Sequence, residues 1–273
     1  MEQENSLRRH GYGHPCLKGQ GTFSTVYRVT AYGTGKHYAC KISSHEKMLA
    51  GEAQILTEAK HPLIPRPYEY WQEDGTGYLV MEYVPGANLE ELLRRRGGFS
   101  ERQTLRIAME LAEGLMHLHE RPLPVLYRDL KPAHVQIREG GRVKLLDFGC
   151  ACYLGKENGA CVGTHGFAAP EQLAGKGSGF SGDIYAFGKV LQRLGAEEGG
   201  RGAFVCGREI ARLAEKCIRE NREERIPDMR LCLRTLADCR KKLEERKIPL
   251  LFGRPNRENF QYVKDLWKKS PGY

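Results

Sequence analysis

The chain has 273 residues, of which 40% are hydrophobic and 28% charged, an ordinary composition for a globular protein with a sizeable core. No uninterrupted apolar run approaches the length of about 18 residues that a membrane-spanning helix needs, so the sequence predicts no membrane span. Residues 1–5 are polar and lack the apolar core of an export signal, which favours a cytoplasmic location.

The formal net charge of +9 is unevenly distributed along the chain. Residues 240–273 contain ten Lys or Arg and four Asp or Glu, so about +6 lies in this basic tail. The tail has no recognisable nucleic-acid motif, so we expect no nucleic-acid partner; contact with an anionic surface is left open. Nine cysteines without the regular spacing of a secreted scaffold predict reduced thiols.

The first third of the chain predicts strands joined by glycine-rich turns. Residues 17–27 read as a strand, a turn and a second strand, and Gly19 and Gly21 would let backbone N–H groups approach phosphate oxygens without a Cβ clash. A strand over residues 38–42, which carries Lys41, follows a glycine-containing hairpin turn. A further apolar strand over residues 78–84 runs into a Pro-Gly break.

The middle of the chain contains its most informative motif. Residues 100–120 place apolar side chains at helical spacing, which predicts a long buried helix. Residues 127–134 then read Tyr-Arg-Asp-Leu-Lys-Pro-Ala-His, and Asp147-Phe148-Gly149 follows a short apolar strand. This combination resembles the catalytic core of a protein kinase, and the chain is similar to serine/threonine protein kinases of the compact kind found in bacteria.

The resemblance implies an α+β, two-lobed protein kinase fold. A small antiparallel β-sheet lobe with one helix is expected over residues 11–83 and a mainly α-helical lobe over residues 84–246. Residues 1–10 are expected to be an N-terminal extension, and residues 247–273 a basic tail.

By resemblance, Lys41 binds the α- and β-phosphates of ATP and pairs with a helix glutamate. Glu52 is predicted to be that glutamate, because Glu58 is out of register with the His-Pro that follows the helix in the family. Only ten residues separate Lys41 from Glu52, so the helix is expected to have lost its first turn or two. The implied ATP-binding residues are Leu17, Gly19, Gly21, Val26, Ala39, Lys41, Glu52, Met81, Glu82 and Val84.

The resemblance also assigns the catalytic residues Asp129, Lys131 and Thr164. Asp129 would orient or deprotonate the attacking alcohol, Lys131 would stabilise the migrating phosphoryl group, and Thr164 would bridge the two. Tyrosine kinases replace the lysine of this loop, so Lys131 favours serine/threonine specificity. Tyr127, where the family usually has His, is expected to pack against the Asp-Phe-Gly segment.

The metal site departs from the family pattern. Asp147 should coordinate the magnesium that bridges the phosphates, but His134 stands where the family has a metal-binding Asn. Magnesium prefers oxygen ligands, whereas manganese accepts nitrogen readily. Two hypotheses stay open: His134 ligates Mg²⁺ or Mn²⁺ in an active enzyme, or it fills space and the second metal site is weak.

Residues 163–171 match the end of a kinase activation segment. The resemblance implies that Glu171 pairs with Arg225 and that Asp183 braces the catalytic loop. Between Cys150 and Gly163 there is no Ser or Thr, and Tyr153 carries the only hydroxyl. The thiols of Cys150, Cys152 and Cys161 could be redox sensors or metal ligands, or chance residues of a cysteine-rich chain. The substrate-docking helix after residue 195 is expected to be small or absent.

The predicted function is ATP-dependent phosphorylation of Ser or Thr in a protein substrate. A pseudokinase that binds nucleotide and acts as an interaction module is the alternative, supported by His134. A small-molecule phosphotransferase is disfavoured by Thr164 and by the predicted Glu171–Arg225 pair.

Overall fold

The computed structural model describes residues 2–156, 163–195 and 206–252, with only the helical backbone described over 246–252. The described residues form a small lobe built on one antiparallel sheet and a large, mainly helical lobe. The predicted two-lobed fold is therefore confirmed.

The small lobe is a five-stranded sheet in which every neighbouring pair is antiparallel, with the order β1-β2-β3-β5-β4. Its strands alternate side chains between two faces, so that Cys40 and Ile42 lie on one face and Lys41 on the other. The strands are β1 (Tyr12–Gln20), β2 (Thr25–Ala31), β3 (His37–Ser43), β4 (Pro67–Glu73) and β5 (Thr76–Glu82).

A first helix, α1 (Glu2–Arg9), covers the face of the sheet opposite Lys41. Its Leu7 is 2% exposed and packs with Cys40 and Val80 in a separate apolar cluster. The ring of His10 stacks on Trp71 at 3.9 Å, just after the helix. The segment predicted only as an extension is thus a second helix of the small lobe, because its apolar residue shields a sheet face that would otherwise meet water.

The second helix, α2 (Glu46–Glu58), follows β3 after only two residues. Its buried face contains Glu52, Ile55 and Leu56, which lie three and four residues apart and so share one side of the helix. α2 packs against β4 and β5, which places Glu52 beside the Lys41 face of the sheet.

The large lobe is organised around the long helix α4. Its start is stabilised by a capping box in which Ser100 and Gln103 each satisfy the other's backbone N–H. Leu105, Leu111 and Leu115 of α4 are fully buried in a core that also contains residues of α2 and β5. The large-lobe elements are β6 (Ala87–Asn88), α3 (Leu89–Arg96), α4 (Glu101–His119), β7 (Val125–Leu126), β8 (Val135–Ile137), β9 (Val143–Leu145), β10 (Cys152–Tyr153), α5 (Pro170–Leu173), α6 (Gly179–Gly195), α7 (Gly207–Cys217) and α8 (Met229–Phe252).

Among the residues that the structure describes, no helix combines the length and the apolar character that crossing a membrane requires. The last helix begins at Met229 and runs to Phe252, six residues beyond the predicted lobe boundary. Most of the predicted tail, from residue 253 onward, lies outside the described residues.

Candidate active site

A buried lysine joins the two lobes at the cleft between them. Lys41 of β3 is 5% exposed, and its Nζ lies 2.7 Å from Glu52 Oε2 and 2.7 Å from Asp147 Oδ1. Burial opposes a charge on Lys41, yet the two carboxylates raise its pKa above the ordinary value. Burial would also raise the pKa of Asp147, but Lys41 lowers it below its usual range. Burial raises the pKa of Glu52, against the effect of Lys41. Lys41 and Asp147 are therefore charged at neutral pH, and the contacts of Lys41 hold α2 against the cleft.

The strand register brings four of the ten predicted ATP-binding residues to one face of the sheet. Val26 pairs with Lys41, and Ala39 pairs with Met81, so all four side chains point the same way. Met81 and Val84 are buried at 9% and 7% exposure. Leu17 is 55% exposed and precedes a register shift in β1, so the register alone does not assign it to this face.

The turn between β1 and β2 leaves room for a ligand. A Cβ at Gly19 would meet no protein atom within 4 Å, and one at Gly21 would lie 3.6 Å from the Ser24 carbonyl oxygen. The fold itself therefore does not require glycine at these two positions. The close approach of a phosphate to the backbone would require it.

The catalytic loop places three predicted residues in contact. Thr164 Oγ1 donates to Asp129 Oδ1 at 2.7 Å, and Lys131 Nζ donates to Asp129 Oδ2 at 3.1 Å and to Thr164 Oγ1 at 2.6 Å. Asp129 is thus held in one orientation by a residue of its own loop and by one from the activation segment.

Asp183 braces this loop from the start of α6, as the resemblance implied. Its fully buried carboxylate accepts the backbone N–H groups of Tyr127 at 2.8 Å and Arg128 at 2.7 Å. It also lies 2.9 Å from His119 Nε2. Arg128 has a positive φ of 69°, a conformation that costs energy for a non-glycine residue and that these bonds compensate.

Tyr127 packs where the family usually has His. Its ring meets Phe148 edge to face at 5.0 Å, and its hydroxyl donates to the carbonyl of Leu146. Because the Leu146 carbonyl precedes Asp147 directly, Tyr127 positions the backbone that carries the predicted metal ligand.

His134 faces Asp147 with one ring nitrogen. Nδ1 lies 3.0 Å from the backbone carbonyl of Asp129, which can only accept a hydrogen bond, so Nδ1 carries the proton. The lone pair of Nε2 is then available 3.5 Å from Asp147 Oδ2. Burial lowers the pKa of His134, against the effect of Asp147 and Asp129, which favours the neutral ring.

A nitrogen and a carboxylate oxygen at this distance fit two ligands of one divalent cation, with the second ring nitrogen oriented by a carbonyl as is usual for metal-bound His. Within the described part of the chain, no cluster of three or more His, Cys, Asp or Glu could hold a metal ion by itself. Phosphate oxygens and water would therefore have to complete the coordination shell.

The activation segment ends at a buried ion pair. Arg225, whose side chain is fully buried, donates to Glu171 Oε1 at 2.6 Å and Oε2 at 2.8 Å, as predicted from the resemblance. Its remaining N–H groups donate to the carbonyls of Arg219, Glu220 and Ser181. This pair ties α5 to the turn before α8.

The thiols of the activation segment do not all remain reduced. Cys150 is disulfide-bonded, which differs from the reduced thiols expected from the sequence. Cys161 lies outside the described residues, as does most of the segment predicted to lack a docking helix. The thiol of Cys152 accepts from the Arg128 guanidinium at 3.1 Å.

Lys144, which was not identified from the sequence, links β9 of the large lobe to Glu82 at the end of β5. Its buried Nζ donates to the Ile64 carbonyl at 3.0 Å and to Glu82 Oε2 at 2.5 Å. The side chain of Glu82 thus points to β9, which leaves only its backbone groups for an adenine edge. A lysine in the middle of an apolar strand was the signal that could have identified this contact.

Comparison with known proteins agrees with this geometry. The family model for the protein kinase domain matches residues 17–199. The chain belongs to the protein kinase family. It is 36% identical over 182 residues to a human protein named putative serine/threonine-protein kinase PRKY, covering 63% of this chain and 65% of that protein.

Two other kinases show similar identity. The human cAMP-dependent protein kinase catalytic subunit PRKX is 35% identical over 182 residues, which is 63% of this chain and 50% of that protein. The Arabidopsis thaliana L-type lectin-domain containing receptor kinase V.5 is 32% identical over 227 residues, covering 78% of this chain and 32% of that protein. These relatives are eukaryotic, so the compact bacterial type remains only a prediction.

Proposed function

We propose that this kinase domain transfers the γ-phosphoryl group of ATP to Ser or Thr hydroxyls of a protein substrate. One observation carries the proposal. Asp129, Lys131 and Thr164 contact one another, and they lie in the same cleft as the Lys41–Glu52–Asp147 cluster. Phosphoryl transfer needs little covalent chemistry from a protein and depends mainly on positioning and charge neutralisation. The kinase names of the relatives support the same activity.

Each group has a role that follows from its position. Lys41 offers a fixed cation to the α- and β-phosphates, and Glu52 holds it in place. Asp129 accepts the proton of the substrate hydroxyl or orients it, while Lys131 faces the charge of the migrating group. Thr164 joins the activation segment to both, so the acceptor site forms only when that segment is ordered.

We infer that Asp147 and His134 hold a divalent cation, Mg²⁺ or Mn²⁺, together with the phosphates of ATP. A bound cation would neutralise the charge that develops on the phosphoryl oxygens. The protonated Nδ1 of His134 and the nearby carboxylate of Asp147 support this arrangement.

The pseudokinase alternative gains no support from the site. Lys41, Asp129 and Asp147 are present, and the pairing of Lys41 with Glu52 and of Thr164 with Asp129 supports an active enzyme. The small-molecule phosphotransferase alternative is disfavoured by the Thr164 bridge and the Glu171–Arg225 pair, which organise an acceptor site for a peptide segment.

Purified protein incubated with labelled ATP, a generic basic protein and either Mg²⁺ or Mn²⁺ would test the proposal. Label on Ser or Thr of the added protein is the expected result. ATP binding without transfer in either metal would favour the pseudokinase, and transfer only to small molecules would exclude the protein kinase.

We predict that the enzyme prefers Mn²⁺ to Mg²⁺ and that His134→Asn reverses this preference. An amide oxygen would then replace the imidazole nitrogen among the ligands. The change should shift the ratio of kcat/KM in Mn²⁺ to that in Mg²⁺ by about tenfold, the effect of about 1.4 kcal/mol. His117→Asn, on a His stacked on His61 away from the cleft, is the matched control. An unchanged ratio in His134→Asn would exclude the ligand role.

We also predict that activity does not require phosphorylation between residues 150 and 163, because no Ser or Thr is available there. Treatment of the purified enzyme with a protein phosphatase should leave its rate within about twofold. Loss of activity on treatment, restored by preincubation with ATP, would contradict the prediction.

The cytoplasmic location remains part of the proposal, although disulfide-bonded Cys150 does not agree with a fully reduced set of thiols. We expect ATP and a protein substrate as partners. The expectation that the tail binds no nucleic acid, and the open question of its contact with an anionic surface, concern residues that largely lie outside the described part of the chain.

A further inference from the structure

The last residue of α2 is fixed by two side chains of the large lobe. Glu58 Oε2 accepts a hydrogen bond from the hydroxyl of Tyr153 at 2.8 Å. The Glu58 backbone carbonyl accepts one from Arg121 at 2.7 Å, and the same guanidinium lies 3.8 Å from the carboxylate. Gln54, one turn earlier in α2, donates to the other carboxylate oxygen at 3.0 Å.

These contacts supply what α2 lacks in its own sequence. The last turn of α2 contains no basic residue, although the carbonyls at a helix C-terminus favour a nearby positive charge and need donors. Arg121, which follows α4, provides both. The end of the helix that carries Glu52 is therefore held from the large lobe.

Tyr153 reaches Glu58 because β10 is anchored to the strand before the catalytic loop. Tyr153 pairs with Val125 of β7, and the Leu154 N–H donates to the Pro124 carbonyl at 2.9 Å. β10 begins three residues after Gly149, so it continues directly from the segment that holds Asp147. The position of the phenol thus reports whether this part of the activation segment is in place.

The Tyr153 hydroxyl is a hydrogen-bond donor at neutral pH because it stays protonated. Partial burial, followed by the nearby Glu58 carboxylate, raises the pKa of Tyr153 to about 12, so the hydroxyl keeps its proton. Hydrogen bonds to a charged acceptor are stronger than those between neutral groups.

We propose that Tyr153 is a positioning residue of the kinase: its hydrogen bond to Glu58 couples the start of the activation segment to α2 and so keeps Glu52 on Lys41. This inference rests on the proposed function, in which the Lys41–Glu52 pair serves ATP. Tyr153 carries the only side-chain hydroxyl between Cys150 and Gly163, and the proposed role does not require its phosphorylation.

Tyr153→Phe tests the coupling, because it removes the hydroxyl and keeps the ring. We expect kcat/KM for ATP to fall about fivefold and hydrogen exchange of the α2 amides to accelerate by a similar factor. Tyr68→Phe is the matched control, since Tyr68 lies on β4 with 50% of its surface exposed, and it should change neither quantity.

A double-mutant cycle with Glu58→Ala shows whether Tyr153 acts through Glu58. Alanine preserves the helix. In the Glu58→Ala protein, Tyr153→Phe should therefore change kcat/KM and the exchange of the α2 amides little further. The proposal is overturned if Tyr153→Phe leaves both readouts unchanged, or if its full effect persists in Glu58→Ala.

Phosphate found on Tyr153 of active enzyme by mass spectrometry would also overturn it, because the donor would be lost. Hydrogen exchange does not depend on turnover, so absence of kinase activity in the wild-type protein would reject the proposed function while the exchange cycle still decides the coupling.

Discussion

Replacement of Asp129 by Asn should lower kcat by about 10³-fold and leave the affinity for ATP within about twofold. The carboxylate accepts from Thr164 and Lys131, and in the proposed mechanism it would contact the acceptor hydroxyl, whereas Lys41 would contact the phosphates. An amide cannot take up the hydroxyl proton, so the loss falls on an interaction made mainly in the transition state. Single-turnover transfer and calorimetric titration with ATP measure the two quantities.

Lys41→Met is the comparison variant for Asp129→Asn. Lys41 would contact the phosphates in the ground state, so its loss should weaken ATP binding as well as transfer. It also leaves Glu52 buried without its cation, so the folded fraction of the variant should be checked by circular dichroism. Near-normal turnover in Asp129→Asn would remove the kinase assignment.

Glu171→Ala should lower the free energy of unfolding by about 3 kcal/mol. The Arg225 side chain is fully buried, and without Glu171 its charge would keep three backbone carbonyls and the face of the Tyr185 ring but no carboxylate. Removing one member of a buried ion pair lowers the free energy of unfolding by more than the intact pair contributes to it, because the remaining charge stays desolvated. Urea unfolding followed by tryptophan fluorescence measures the change.

Glu209→Ala provides the matched control for this prediction. Glu209 pairs with Lys242 at 3.1 Å, but the two side chains are 35% and 54% exposed, so water and salt screen the pair. Its loss should leave the unfolding midpoint unchanged within error. Equal effects of the two substitutions would show that burial does not govern the Glu171 pair.

The sequence determined the fold and most of the site because the decisive residues sit in short motifs with fixed spacing. Lys41 follows the glycine-rich turn, and Asp129 and Lys131 lie two residues apart in one loop. By resemblance, the register with the His-Pro that follows the helix also selected Glu52 over Glu58, and the structure buries Glu52 at 3% exposure. Such local patterns can be read from a single sequence, because each motif lies within one turn or strand.

Only the tertiary structure decided which distant groups meet. Tyr153 and Glu58 are 95 residues apart in the chain, and Lys144 and Glu82 are 62 apart. The protonated nitrogen of His134 likewise follows from a carbonyl whose direction depends on the folded loop. α1 covers the sheet through one buried leucine, a signal too weak to separate it from a solvated extension. Periodicity and spacing describe neighbours along the chain, whereas these contacts depend on how segments fold against one another within and between the two lobes.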